Sequence, residues 1–280
     1  MAGHRGINAR AVTLHIGVQK TASTALHHLL HRNADALAEQ MVVRIPVQGT
    51  PAQRMGRAAV DFSLDPTPDR EAQLVAQIEA LRDEIAAGDL PVLVSHENLP
   101  GAMLGNPGVT TLYPMLERLV ALYDHHLAPL VPRYALYTRD MAAWKRSVHN
   151  QAVKTDGYAG TWDDFTAETA DCGNWNSLAA RLRAAVGEDR VAVFALEDEP
   201  DQMRPGQQLL RYAGLTEAQI AALSPLTWRS NQSLNPGALE FMRQVNAAGL
   251  APQPRNKLMQ IVMDNQALFA PDAPGQGSPA

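Results

Sequence analysis

The amino-acid sequence predicts a three-layer α/β fold, in which helices cover both faces of a mostly parallel sheet. Short apolar, β-prone segments alternate with longer helical segments along the 280 residues, and this alternation is typical of parallel sheets. Polar side chains follow several of the strand segments, and ligands of such sheets bind at the carboxyl ends of the strands. We expect a single domain over 1–280, with disordered tails at 1–10 and 271–280.

The first part of the chain predicts a strand, a loop and a helix in succession. Residues 11–16 are apolar and β-prone, residues 17–22 contain one glycine, and residues 23–40 carry leucines at helical spacing. Residues 41–47 are a second candidate strand. Residues 48–69 are rich in Pro, Asp, Gly and Thr, which favours a loop with short helical turns.

The same signals predict the remaining elements. Amphipathic periodicity or helix-start residues predict helices over 70–87, 112–128, 140–153, 175–186, 202–213, 216–223 and 236–248. Apolar runs predict strands over 91–95, 133–138 and 190–196. Residues 155–173 are expected to be irregular. Together with 48–69 and 99–111 they are expected to line a substrate pocket, because such loops carry function.

Composition excludes several classes of function. The net charge is −5, which does not indicate a general nucleic-acid or membrane-surface binder. The single cysteine, Cys172, cannot form an intrachain disulfide or a thiolate metal cluster. The polar N-terminus does not resemble a secretory signal, and no apolar run reaches the roughly 18 residues of a membrane span. We therefore expect a cytoplasmic protein.

The first candidate site is an anion-binding loop between the first strand and the first helix. A helix that begins between Thr21 and Thr24 directs free N–H groups and the positive end of its dipole at a phosphate or sulfate. Lys20 adds a positive charge, and Ser23 adds a hydroxyl donor. The nucleotide triphosphatase motif requires glycine directly before the lysine, and Gln19 stands there instead. An ordinary strand-to-helix turn is the alternative.

This loop resembles the segment by which sulfotransferases hold the 5′-phosphosulfate of 3′-phosphoadenosine 5′-phosphosulfate. The shared pattern is strand–Gly–x–x–Lys–Thr–x–Ser–Thr–helix, and the match is closest to bacterial and carbohydrate-type members. The resemblance implies a fold related to that of the P-loop nucleoside triphosphate hydrolases, with this donor as co-substrate and no metal. The residues that it assigns to donor binding are Gly17, Lys20, Thr21, Ala22, Ser23 and Thr24. The family usually has glycine where this chain has Ala22.

A second patch follows the strand predicted over 133–138. Arg139 lies at the end of that strand, and Ser147 lies on the next helix. Sulfotransferases use an Arg and a Ser at similar spacing to grip the 3′-phosphate of the donor, and the planar guanidinium of arginine suits a phosphate. Arg229 lies in a segment that looks like one common in bacterial members and is assigned to the same phosphate, with a solvated arginine as the alternative. Leu196 stands where the family has a tyrosine against adenine.

The candidate catalytic base follows the strand predicted over 91–95. The segment resembles the strand of cytosolic sulfotransferases that ends in Thr-His-Leu-Pro, which places His96 at the base. Carbohydrate sulfotransferases use a glutamate, and Glu97 is next in the sequence. Adjacent residues at a strand end face opposite ways, so the sequence leaves open which of the two faces the cleft. A capping or ion-paired His-Glu at a turn is the alternative. The predicted catalytic residues are Lys20, His96 and Glu97.

Three histidines of the first predicted helix have a spacing that can hold a metal. His27, His28 and His31 lie on one helix at neighbouring turns. No carboxylate or cysteine nearby in the sequence completes a ligand set. We therefore predict no metal site.

The predicted reaction is transfer of a sulfuryl group from 3′-phosphoadenosine 5′-phosphosulfate to a hydroxyl or amine of a small-molecule or carbohydrate acceptor. A nucleotide kinase or triphosphatase is one alternative, although Ser-His-Glu at the strand end is a poor magnesium site. A non-catalytic nucleotide-binding member of the fold is the other. The departures from the family pattern that favour it are Ala22, Val94 (a lysine in the family) and Leu196. The sequence indicates no nucleic-acid partner and does not determine the oligomeric state.

Overall fold

A five-stranded parallel sheet forms the centre of the computed structural model, which describes residues 10–228 and 233–270. The strands are β1 (Val12–His15), β2 (Val42–Arg44), β3 (Val92–Ser95), β4 (Pro132–Thr138) and β5 (Val191–Ala195). Their order is β2-β3-β1-β4-β5, and every neighbouring pair is parallel. The predicted strands lie close to these bounds, and the predicted parallel α/β architecture is confirmed.

Helices follow each strand. Their bounds are α1 (Ser23–Arg32), α2 (Ala34–Ala38), α3 (Pro51–Leu64), α4 (Pro68–Ile85), α5 (Leu116–His126), α6 (Met141–Gln151), α7 (Trp162–Glu168), α8 (Trp175–Val186), α9 (Gln207–Ala213), α10 (Glu217–Ala222), α11 (Pro236–Ala247) and α12 (Pro252–Asp264). Side-chain caps begin several of them. Asn235, for example, accepts a hydrogen bond from the N–H of Ala238 at 2.9 Å, and Pro236 takes the first helical position.

The two faces of the sheet are covered by different helices. The larger apolar core joins β1, β3 and β4 to α3, α4, α5 and α8, through buried residues such as Leu14 and Val94. The smaller core joins the opposite face to α1, α2, α9 and α10, through residues such as Leu93 and Tyr137. The helix after β1 therefore lies on one face, while those after the neighbouring β3 and β4 lie on the other. A crevice opens at the carboxyl ends of strands at such a point.

The prediction of a loop over 48–69 is wrong. Most of that segment is α3, whose N-cap Thr50 accepts a hydrogen bond from Gln53 N, with Pro51 at the first helical position. The proline and Asp65 mark the two ends of the helix rather than a loop. Buried side chains such as Phe62 join α3 to the larger core.

Other predicted boundaries also need correction. The helix predicted over 23–40 is divided at Asn33, whose side chain donates to Leu29 O at 2.9 Å and Ser224 O at 3.0 Å. The segment 155–173 contains α7, which begins at a capping box formed by Thr161 and Asp164. A capping box requires the two side chains to bond reciprocally to the backbone, and Thr161 and Asp164 meet this requirement.

Arg10, which the prediction places in the N-terminal tail, contacts the folded domain. Arg10 Nη1 donates to Ala87 O at 2.9 Å, which ties this residue to the end of α4. Residues 1–9 and the predicted tail at 271–280 lie outside the described residues. Within 10–228 and 233–270, no helix has both the length and the apolar character needed to cross a bilayer.

Candidate anion-binding cleft

A cleft of about 1260 Å³ opens at the carboxyl ends of β1, β3 and β4. Its lining includes the predicted site residues Lys20, Ala22, Ser23, Thr24, Glu97, Arg139 and Ser147. Segments far apart in the sequence supply these side chains, and the order of the strands brings them together. The loop after β1 lies in the middle, the segment after β3 on one side, and the segments after β4 and β5 on the other.

The loop after β1 contains two non-glycine residues in left-handed backbone conformations. Lys20 has φ 67° and Ala22 has φ 66°. A left-handed conformation costs an L-residue about 1–2 kcal/mol, and such residues cluster at functional sites. The left-handed conformation of Ala22 accounts for the glycine of the family pattern, since glycine adopts it without this cost. The alanine at residue 22, in place of the glycine of the family pattern, therefore affects the backbone conformation of the loop.

Gln19 fixes the position of this loop, and sequence reasoning missed it. Its Nε2 donates to Gly101 O at 3.1 Å and to Asn98 Oδ1 at 3.2 Å. Its Oε1 accepts from the hydroxyl of Tyr113 at 2.5 Å, and its backbone carbonyl accepts from the indole of Trp144 at 2.8 Å. Gln19 itself is buried. These partners come from the segment after β3, from Tyr113 and from α6. No local pattern in the sequence therefore indicates this role.

Positive charges converge on the cleft around Lys20. The ammonium of Lys20 donates to Gln151 Oε1 at 3.1 Å, and Arg139 Nη1 lies 3.5 Å from the backbone carbonyl of Lys20 as a donor. Burial, and then the charges of Lys154 and Arg139, lower the pKa of Lys20. Burial is the largest cause, Glu97 and Asp156 oppose the shift, and the part due to Lys154 and Arg139 reflects repulsion between the cations. A bound anion would relieve that repulsion.

The N-terminus of α1 adds unsatisfied donors to these charges. The helix begins after Ala22, whose methyl group cannot cap the first N–H groups of the helix. The hydroxyl of Ser23 is buried and has no hydrogen-bond partner within the described part of the chain. Thr24 lines the cleft in the same turn. A helix N-terminus with an orphaned hydroxyl and nearby cations is the arrangement that binds phosphate or sulfate groups.

Two predicted donor-binding residues do not line the cleft. The hydroxyl of Thr21 donates to Val18 O at 2.5 Å, so it closes the loop on itself. Gly17 has φ 98°, and a Cβ there would lie 2.8 Å from the carbonyl oxygen of Glu97. Both residues therefore shape the loop: Gly17 lets it approach the segment after β3. Their assignment to donor binding stays a prediction.

The structure separates the two candidate bases after β3. Glu97 lines the cleft. His96 is only 4% exposed, accepts a hydrogen bond from Asn98 N at 3.2 Å through Nδ1, and packs against Gly56 of α3. Burial lowers the pKa of His96, against the opposing effects of Glu97 and a hydrogen bond to the Gln53 backbone. The position of His96 contradicts its prediction as a catalytic residue, because its ring faces α3 and not the cleft.

The wall after β4 and β5 carries the residues predicted for the other end of a donor. Arg139 and Ser147 both line the cleft, and so does Leu196. The carbonyl of Arg139 accepts a hydrogen bond from the indole of Trp175 at 2.6 Å, which holds the backbone at this strand end. Arg229 lies outside the described residues, and its assignment stays a prediction.

Sequence reasoning also missed the turn that closes the cleft. A π-helical turn over Ala152–Asp156 continues α6 and brings Lys154 and Asp156 to the cleft lining. Desolvation raises the pKa of Asp156 to about 6. The buried guanidinium of Arg255 holds the turn by donating to Val153 O at 2.8 Å and Lys154 O at 2.9 Å. Single π-turns are frequent at functional sites, and the polar run before Gly157 was the only local signal.

The histidines of α1 do not form a metal site in the described residues. Among 10–228 and 233–270, no group of three or more His, Cys, Asp or Glu side chains is arranged to hold a metal ion. His27 instead contacts Ser95 and Glu97, while His28 packs its ring against Trp228. The spacing that suggested a ligand set therefore serves two different contacts.

The chain has a distant structural likeness among solved proteins. No protein-family model matches the sequence, and no curated protein matches it. One similar crystal structure is that of a sulfotransferase from Alicyclobacillus acidocaldarius. The two are 14% identical, the similarity covers 90% of this chain and 96% of that chain, and the TM-score is 0.46. At this level the likeness does not bear on what the cleft binds, which depends on the side chains that line it.

Proposed function

We propose that this protein transfers a sulfuryl group from 3′-phosphoadenosine 5′-phosphosulfate to a hydroxyl or amine acceptor. The observation that carries the proposal is the convergence of Lys20, Lys154 and Arg139 on the uncapped N-terminus of α1. Charge-assisted hydrogen bonds of this kind contribute about 1.5–3 kcal/mol each. Lys20, Lys154 and Arg139 line the same cleft, so a ligand with several negative charges would meet several positive ones.

The donor fits the cleft with its two charged ends apart. The 5′-phosphosulfate lies against Lys20, Ser23 and the N–H groups at the start of α1 in this proposal. The 3′-phosphate lies on the β4 side, where Arg139 and Ser147 line the same cleft. Leu196 supplies an apolar surface at that side, which suits an adenine ring that lacks an aromatic partner.

Glu97 is the proposed base. As the acceptor oxygen or nitrogen forms its bond to sulfur, the bond from sulfur to the bridging oxygen breaks and adenosine 3′,5′-bisphosphate leaves. The proton of the acceptor passes to the Glu97 carboxylate, and a positioned base of this kind contributes about 10²–10⁴ in rate. Lys20 and the loop N–H groups stabilise the charge that develops on the bridging oxygen.

The direct test compares transfer of radiolabelled sulfur from the donor by the wild type and by Lys20→Ala, over a panel of hydroxyl and amine acceptors. We expect the substitution to lower the transfer rate by about 10²–10³-fold, the effect of removing one preorganised donor to a developing charge. Lys257→Ala is the matched control, because Lys257 is exposed on α12. Equal rates for the wild type and Lys20→Ala would refute the proposal.

A further inference from the structure

A chain of three polar side chains, His15, Ser95 and His27, lies behind Glu97 and outside the cleft lining; His15 and Ser95 are buried, and His27 is 12% exposed. His15 of β1 is 1% exposed, and its Nδ1 lies 2.8 Å from the hydroxyl of Ser95. The same hydroxyl lies 3.0 Å from Nε2 of His27 on α1. The other ring nitrogen of His27, Nδ1, lies 3.8 Å from Glu97 Oε2. The chain therefore runs from the sheet interior to the carboxylate at the cleft.

Both histidines of this chain are neutral near pH 7. Burial lowers the pKa of His15 to about 3, and the charge of His27 adds to that effect. Burial also lowers the pKa of His27 to about 4, although the negative charge of Glu97 opposes it. A neutral imidazole has one N–H donor and one nitrogen lone pair. Each ring can therefore donate in one direction only.

The single hydroxyl proton of Ser95 decides the direction of the hydrogen bonds. If Ser95 donates to His27 Nε2, the proton of His27 is on Nδ1 and faces Glu97, while His15 Nδ1–H donates to Ser95. If Ser95 donates to His15, a lone pair of His27 faces the carboxylate instead. An ionised carboxylate only accepts hydrogen bonds, and only the first arrangement directs an N–H at Glu97.

His27 is also the ring that can donate a hydrogen bond to Glu97. Glu97 Oε2 is buried and has no hydrogen-bond partner among the side and main chains described. His96 Nδ1 lies at the same 3.8 Å, but it already accepts the N–H of Asn98 and has no proton to give. A buried carboxylate oxygen without a donor is costly. Catalytic hydrogen bonds that are long without ligand often tighten in the reacting complex.

We propose that His27 is a positioning residue, which orients the Glu97 carboxylate for proton abstraction through a Nδ1–H fixed by Ser95 and His15. The inference rests on the proposed function, since it takes Glu97 as the base. The titratable groups that face His27 come from β1, from α1 and from the segment after β3, and Lys20 acts on Glu97 from the cleft. They are His15, His28, His96 and Glu97.

The kinetic test uses His27→Leu and His27→Asn. Leucine removes both ring nitrogens, whereas the asparagine amide can donate near the position of Nδ1. We expect His27→Leu to lower kcat at least about tenfold, a share of the contribution of a positioned base. KM for the donor should stay unchanged, and the acid limb of the pH–rate profile should move to higher pH. His27→Asn should recover most of kcat. His31→Asn is the control, because His31 is exposed on the same helix.

A wild type that transfers sulfuryl groups while His27→Leu keeps both kcat and the pH profile would overturn the inference and leave the proposed function intact. A wild type without transfer would instead contradict the proposed function. NMR of the protein with ¹⁵N-labelled histidine then decides the inference separately, with the His27 signals assigned by their loss in His27→Asn. We expect the Nδ1–H tautomer of His27, and a Nε2–H tautomer would overturn the proposed direction of the chain.

Discussion

The two walls of the cleft carry different arrangements of charge. On the wall formed by the β1 loop and the segment after β4, burial and then the charges of Lys154 and Arg139 lower the pKa of Lys20. On the other wall, Glu97 follows β3, and His15 of β1 and His27 of α1, both neutral near pH 7, lie behind its carboxylate. The first wall gathers positive charges, while the second presents a carboxylate whose Oε2 has no hydrogen-bond partner among the described residues. The proposed function assigns the charged donor to the first wall and the proton of the acceptor to the second.

Among the substitutions compared below, Arg139→Ala should have the largest effect, because it removes a positive charge from the first wall. We expect adenosine 3′,5′-bisphosphate to lose about 10- to 100-fold in affinity, because a charge-assisted bond contributes about 1.5–3 kcal/mol. Adenosine 5′-phosphate should lose much less. Isothermal calorimetry with both ligands measures the two losses, and equal losses would remove Arg139 from the 3′-phosphate site.

Gly56→Ala should disturb the second wall. A Cβ at residue 56 would lie 2.0 Å from His96 Nε2, and overpacking a fixed site costs about 1–3 kcal/mol. The sign of the change in unfolding free energy is informative, because alanine normally stabilises a helix interior relative to glycine by about 0.5–1 kcal/mol. Urea unfolding measures the change, and Arg57→Ala, at an exposed position of the same helix, should stay within about 0.5 kcal/mol of the wild type. A more stable Gly56→Ala would contradict the packing of His96.

Lowering the pH should lower the stability of the fold through His15 and His27. In the unfolded chain His15 and His27 bind protons below about pH 6.5, whereas burial lowers their folded pKa values to about 3 and about 4. The unfolded state binds more protons between these values, so stability is present above pH 6.5 and falls as the pH decreases. Each histidine contributes a slope of about 1.4 kcal/mol per pH unit. Urea unfolding between pH 7 and pH 5 measures it, and a flat profile would show that the two rings are not buried neutral.

Ala22→Gly should have the smallest effect on stability, and it tests the left-handed conformation of residue 22. Glycine removes the left-handed strain of about 1–2 kcal/mol but adds unfolded-state entropy. We expect a net stabilisation of about 0.5–1 kcal/mol by urea unfolding. Ala25→Gly, in the ordinary right-handed first turn of α1, should lower stability by a similar amount. A less stable Ala22→Gly would show that residue 22 is not left-handed.

The sequence predicts the first wall better than the second, and the reason is physical. Lys20, Ser23 and Thr24 belong to one strand–loop–helix unit, whose function follows from local backbone geometry. The direction in which His96 faces depends on Gly56 of α3, and that helix was predicted as a loop. Its boundary residues, Pro51 and Asp65, lie at its two ends.

Contacts between distant segments carry the rest of the site. Gln19 bonds to Tyr113 and Trp144, and the π-turn depends on Arg255 of α12, a helix that is not among the predicted elements. Such contacts have no period or motif along the chain. Only the order of the strands brings them together.

A crystal structure with adenosine 3′,5′-bisphosphate tests the donor site most directly. The arrangement of charges predicts the 5′-phosphate at the start of α1, within hydrogen-bond distance of Lys20 and Ser23, and the 3′-phosphate at Arg139. Ligand density with both phosphates away from the β1 loop, or no binding at millimolar concentration, would contradict the assignment of this cleft to a sulfuryl donor.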